Sequence, residues 1–208
     1  MAAPAERFDV GSMLVERHGQ RGRPLVLIPG LGSGPWAWKD TVREYSGDYT
    51  VYVVTLPGFD GRPAVAGAGF DSARDALKQL IATRKIDKPV LIGHSMGGAL
   101  ALAVAAQLLD QVGGVVAVDG LPIFPTMENL PREQRSMMAQ IAALNAPAFA
   151  AQQAQTGITP QAKAAYYTSL MAGTAKLEVV PVEGARHFVM FDQPRQVSDA
   201  IGRFLKVL

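Results

Sequence analysis

Cysteine is absent from the chain. That removes disulfides, thiolate metal sites and a thiol nucleophile together, and it permits a reducing compartment. Histidine is scarce: His18, His94 and His187 are the three, too dispersed to gather round a metal ion. Charged residues make up only 18% of the chain and the formal net charge is +2. The isoelectric point is near 9.0, yet Lys and Arg are scattered without basic clusters or interleaved aromatics, so nucleic acid is not an expected partner. No apolar run nears the roughly 18 residues that a spanning helix needs. The opening MAAPAERFDV also lacks a basic start leading into an apolar core. The expectation is a soluble, cytoplasmic protein with no membrane partner.

What is plentiful is apolar sequence, 49% of 208 residues. That suits a single globular domain over residues 1–208 able to bury about 70% of its unfolded surface. Ser12–Gly19 (SMLVERHG) and Arg23–Gly30 (RPLVLIPG), split by the turn-forming Gly19 to Gly22, read as an antiparallel pair. YTVYVVTLPG, KPVLIGHS, GGVVAVDG and AKLEVVPV each read as a short apolar strand ending in Pro, Gly or a polar residue. Runs apolar on both faces predict a mostly parallel sheet covered by helices.

Helices are predicted between the strands. FDSARDALKQLIATRK has Asp71 or Ser72 as its cap and a stripe of Ala76, Leu77, Leu80 and Ile81. QPRQVSDAIGRFLKVL places Pro194 near its first turn and Val197, Ile201, Phe204 and Leu205 on one face. The alternation predicts an α/β, doubly wound architecture. Residues 121–161 break the rhythm with Pro, Met, Ala and Gln. PREQRSMMAQIAAL there reads as an amphipathic helix, and the segment as a short cap-like insertion over one edge of the sheet.

The most informative stretch is VLIGHSMGGALAL, Val90 to Leu102. Gly93-His94-Ser95-Met96-Gly97 is a G-x-S-x-G run placed directly after a strand and before a helix, where a sharp turn exposes the serine at the sheet's carboxyl edge. The helix N-terminus there favours developing negative charge. With LVLIPGLGSGPWAW, VVTLPGFDGRP and GARHFVMFDQP in their order, the chain resembles the α/β-hydrolase family over most of its length. The resemblance implies an α/β-hydrolase fold with an abbreviated cap and an apparently missing late strand. It also implies Ser95 as nucleophile, His187 as base, and the backbone N–H groups of Leu31 and Met96 as oxyanion donors. Pro29 stands where the family usually has a histidine. His94 is expected to pack rather than react, and His18 to be exposed.

The triad's acid is the departure. Gln134 to Leu177 holds no Asp or Glu. Asp119, directly after the strand GVVAV, emerges on the edge where Ser95 emerges and is the choice. Glu183, or a Ser-His dyad, remains open, as does a plain turn role for Asp119. Pocket walls are expected from Trp36, Phe59, Leu121, Phe124 and Phe188. The function implied is a serine carboxylester hydrolase for small to medium acyl esters. Its partner is then a small-molecule ester, with no metal or organic cofactor needed and the oligomeric state open. Alternatives are an acyltransferase, thioesterase or lactonase, or a binding protein of low turnover on the same fold.

Overall fold

The computed structural model of the chain describes residues 3–120 and 159–208. Two compact units make it up: Met1–Pro122 with Ile201–Leu208, and Ile123–Ala200. The first unit holds strands β1 (Glu6–Val10), β2 (Met13–His18), β3 (Pro24–Ile28), β4 (Thr50–Thr55), β5 (Val90–His94) and β6 (Gly114–Val118). They form one sheet in the order β1-β2-β4-β3-β5-β6. β3 to β6 run parallel, while β2 is antiparallel to both β1 and β4.

Helices cover both faces, because successive strand residues point to opposite sides. Val15, Val26, Ile28, Val54 and Leu91 share a core with Leu77, Leu80 and Ile81 of α2 (Phe70–Thr83) and with Leu100, Ala101 and Val104 of α3 (Met96–Leu108). The alternate residues Leu25, Leu27, Val51, Val53, Val90 and Ile92 are equally buried, as are Trp38 and Val42 at the start of the chain leg through α1 (Lys39–Tyr45). Each such side chain contributes about 1.5–3 kcal/mol of burial, which is why these strands are apolar throughout.

The second unit contains α4 (Pro160–Leu170) and α5 (Val189–Asp192). α6 (Pro194–Lys206) begins in it and ends in the first. Pro194 opens α6 as predicted, and Val197, Ile201 and Leu205 are buried. Among the described residues no helix is long and apolar enough to cross a membrane.

Several local expectations need correction. Met13–His18 and Pro24–Ile28 are not a hairpin pair, since β4 lies between them. Gly19 and Gly22 take positive φ (69° and 71°) with their Cα atoms pressed on the Tyr49 and Asp48 carbonyls. The linking segment therefore packs on the chain entering β4, which separates the two strands. β2 pairs instead with β1, a charged edge strand. There Glu6 meets Arg17 (3.0 Å) and Arg84, and the Arg84 guanidinium lies 3.6 Å from the Phe8 ring centroid, charges of the kind that keep an edge from pairing with other chains. The cap of α2 is Gly69, closed by Ser72 Oγ, which accepts the Gly69 N–H (2.8 Å); neither Asp71 nor Ser72 is the cap itself.

Ala175–Val182 is not a strand. Leu177 and Val180 are 37% and 39% exposed, and Pro181 has no N–H to give a ladder. Apolar composition makes a strand only where a neighbour takes up its backbone groups, and among the described residues the sheet ends at β6.

β5 passes into α3 through one residue, Ser95, at φ 53° and ψ −123°. A side-chain-bearing residue at this φ stores about 1–3 kcal/mol of strain. The surroundings hold it there: the Ser95 N–H donates to the Val118 carbonyl at the end of β6 (3.0 Å), and the Ser95 carbonyl accepts from the N–H of Gly98 (2.9 Å).

Two predictions follow from this frame. Ser95→Gly, with no Cβ to strain, should be more stable than Ser95→Ala by about 1 kcal/mol in denaturant unfolding; an Ala variant of equal or greater stability contradicts a strained turn. His18 is only 4% exposed, its Nε2 has no hydrogen-bond partner among the described residues, and burial pushes its pKa below the usual histidine value, with Glu16 acting in the opposite direction. The unfolded chain then binds the proton more readily, so His18's contribution is intact above the ordinary value of about 6.5 and is lost as pH falls below it. The melting temperature of His18→Phe should fall less than that of the wild type between about pH 7.5 and about pH 5.5, and parallel curves would contradict the assignment.

Candidate active site

The sheet's connectivity marks where a site can form. From β3 the chain goes to β4 on one side, then crosses back to β5 on the other. The loops leaving the carboxyl ends of β3 and β5 therefore part at a topological switch point, the place where open α/β sheets hold ligands. Those loops are Pro29–Gly34 and the Ser95 turn.

The turn is built of glycine because backbone touches backbone there. A Cβ on Gly93 would lie 2.1 Å from the Gly97 carbonyl oxygen, and one on Gly97 would lie 2.1 Å from that of Ile28. Any side chain at either position would push β5, α3 and β3 apart. Ser95 itself is half-buried. Since the first helical bond of α3 runs from the Gly98 N–H to the Ser95 carbonyl, the N–H of Met96 has no acceptor within the helix. It is thus available to negative charge beside the hydroxyl. The Met96 side chain packs against the core.

The β3 loop comes as close as backbone permits. A Cβ on Gly30 would lie 3.1 Å from the Ser95 Cβ and 2.9 Å from His94 Nδ1. His94 is fully buried, as expected of a packing histidine. Leu31 follows Gly30 with its side chain exposed, and a turn from the Gly30 carbonyl to the Ser33 N–H (3.1 Å) shapes the loop. Trp36 is 43% exposed while Trp38 is fully buried. Phe59 is half-buried and packs against the core.

Asp119 lies between Val118, whose carbonyl holds the Ser95 N–H, and Gly120. A Cβ on Gly120 would stand 2.3 Å from the Ser95 carbonyl oxygen. The acid is therefore backbone-adjacent to the serine turn, half-buried, with φ 46°, a left-handed conformation that Asp tolerates better than most residues. Leu121, Phe124 and the helix predicted at 131–144 lie outside the described residues.

His187 and Phe188 belong to the second unit. The imidazole meets the Phe188 ring edge-on, with centroids 5.7 Å apart, and Phe188 stacks on Phe191 at 5.6 Å. The other candidate acid, Glu183, is exposed and accepts from Gln161 Nε2 (2.5 Å). Unforeseen from the sequence is a carboxylate that closes the histidine loop: Asp192 Oδ2 accepts the Arg186 N–H at 2.7 Å, and Asp192 Oδ1 accepts from Arg186 Nη2 at 2.9 Å. These contacts hold the Asp192 carboxyl below its ordinary range, chiefly through the guanidinium. The visible signal was an opposite-charge pair flanking His187 in ARHFVMFD.

A profile described as the alpha/beta hydrolase family matches residues 25–178. Among curated proteins, the 2-succinyl-6-hydroxy-2,4-cyclohexadiene-1-carboxylate synthase of Escherichia coli O157:H7 (strain EC4115 / EHEC) is 35% identical over 121 residues, covering 58% of this chain and 48% of that protein. The chain spans about half the length of the curated relatives it matches. A predicted CIB-like hydrolase from Thermoplasma acidophilum superposes with a TM-score of 0.67 at 21% identity, over 98% of this chain and 97% of that one. An E-2-(acetamidomethylene)succinate hydrolase gives a TM-score of 0.52 at 26% identity, over 58% of this chain and 46% of its own. With three-quarters of its length matched to that family and with a mostly parallel, helix-covered sheet, the chain belongs to the alpha/beta hydrolase family.

Proposed function

We propose that the chain is a serine carboxylester hydrolase acting on small to medium acyl esters. The observation that carries this reading is the placement of Ser95 at a strained turn, on a helix N-terminus, at the switch point of the sheet, with the Gly30 loop packed on its Cβ. A serine hydroxyl is a weak nucleophile, so such a turn gains purpose only with a base and oxyanion donors.

In the proposed reaction, Ser95 Oγ attacks the ester carbonyl while its proton passes to His187. The oxygen of the tetrahedral adduct accepts the N–H groups of Leu31 and Met96. Collapse expels the alcohol with the proton from His187, leaving an acyl-serine. Water then adds by the same route, its proton taken by His187 and returned to Ser95 Oγ, and the carboxylic acid departs. Asp119 is the preferred acid because its neighbour Gly120 sits on the serine's backbone, whereas Glu183 already accepts from Gln161. Leu31, Trp36, Phe59 and Phe188 are the side chains proposed to face the substrate.

A second reading comes from the relatives' names. A synthase of a cyclohexadiene carboxylate and a hydrolase of a substituted succinate both concern carboxylate-bearing molecules, so the same residues would serve a carboxylate substrate other than a simple ester.

A fluorophosphonate probe should label Ser95 stoichiometrically and p-nitrophenyl acetate should give an acyl burst. Ser95→Ala should lose at least about 10³-fold in kcat with its fold intact. Absent labelling together with absent burst contradicts an activated serine; labelling without ester turnover favours the carboxylate reading. Asp119→Asn should lower kcat by about 10²–10⁴-fold if it orients His187, and a wild-type rate would move that role to Glu183 or to a dyad.

A further inference from the structure

The loop that carries His187 is closed by side chains rather than by a strand. The segment before it, 175–182, has no ladder to stiffen it. Three hydrogen bonds converge on one carboxylate six residues beyond Arg186. Asp192 Oδ2 takes the Arg186 backbone N–H (2.7 Å) and Nε (3.2 Å), while Oδ1 takes Nη2 (2.9 Å). The fork is bidentate and charge-assisted, the strong form of this contact. Next to it, Gln193 Nε2 reaches back to the Gly184 carbonyl (3.4 Å).

Within that closed loop, the single turn of α5 is fixed by the Phe188 carbonyl, which accepts the N–H of Phe191 (2.8 Å) and of Asp192 (3.2 Å). This stacks Phe191 on Phe188, with their planes 10° apart, and sets Phe188 edge-on to His187 at 70°. The carboxylate therefore ties down the backbone just before the exposed His187, and Phe188, just after it, meets the imidazole edge-on. Asp192's side chain is only 16% exposed against 87% for Arg186. The acid is the anchored partner and the arginine folds over it.

We infer that Asp192 is a positioning residue for His187: through the Arg186 N–H and the α5 turn it narrows the directions the imidazole can take. This rests on the esterase reading above. It assigns Asp192 no contact with substrate and no proton; the carboxylate acts by cutting the orientations available to the base, and misplacement of about 1 Å costs a rate of about 10²-fold.

The test uses the full chain and p-nitrophenyl acetate, with kcat, KM and the rate of fluorophosphonate labelling of Ser95 measured side by side. Asp192→Ala should lower kcat and the labelling rate together by about 10–100-fold while KM stays within about twofold. Asp192→Asn retains an oxygen for the Arg186 N–H and should recover most of the loss. Arg186→Met leaves that backbone bond and should lose less than Asp192→Ala, and the double variant should be no worse than Asp192→Ala alone, because both act on one element. His187→Ala separates the two claims. If it is inactive while Asp192→Ala and Arg186→Met keep wild-type kcat, the positioning role is overturned and the esterase reading stands. If His187→Ala keeps wild-type kcat, the esterase reading itself falls and the inference with it. A parallel rise in KM without a fall in kcat in Asp192→Ala would also overturn it, since that marks lost binding rather than a misdirected base.

Discussion

The serine turn depends on a contact with no side chain in it: the Cα of Gly97 resting on the Ile28 carbonyl at the end of β3. Two neighbouring parallel strands must end at the same height for this to occur, and the register that pairs Ile28 with Gly93 sets that height. A left-handed serine is unfavourable by itself. It persists because the sheet on both sides over-determines it, with β3 below the turn and the Val118 carbonyl of β6 beside it. The geometry of Ser95 is thus a property of three strands and one helix, and core burial of order tens of kcal/mol stands behind a strain of about 1–3 kcal/mol.

The same close approach orders the rest of the first unit's contribution. Because Gly30 has no side chain, the loop after β3 can lie on Ser95 and His94 at once, and the buried imidazole of His94 then serves as the floor under that loop. Pro29 precedes this contact, and the support for the loop comes from Gly30 meeting the residues of the turn. In doubly wound sheets, loops diverging from adjacent strands in this way leave a crevice lined by backbone donors.

The elbow was legible in the sequence because its causes are local. Glycines two residues either side of a serine, after VLI and before an apolar helix, leave few other geometries, and α2 and α6 were legible from their stripes for the same reason. Strand pairing was not, since nothing in Met13–His18 or Pro24–Ile28 says that β4 will lie between them, and β1 carries too much charge to look like a strand until Arg17 and Arg84 are seen to meet Glu6. Ala175–Val182 misled because its Val and Leu suit a strand, whereas a ladder partner is a non-local fact. His18 misled in the other direction: a polar residue next to a glycine turn suggests surface, but its place opposite Val51 in the second strand of the sheet buries it.

The proposed nucleophile and the proposed base are therefore held by different kinds of force. Ser95 is fixed by dry backbone packing and burial, which salt does not screen and which weakens only when the core does. The His187 loop is held by a charged fork whose arginine is almost wholly in water, a contact that ions screen over about 10 Å and that protonation of Asp192 weakens. Since Arg186 holds the Asp192 carboxyl below its ordinary range, acid must go below the usual carboxylate value before the fork loosens. The order of the histidine loop is therefore the more sensitive of the two to salt and acid.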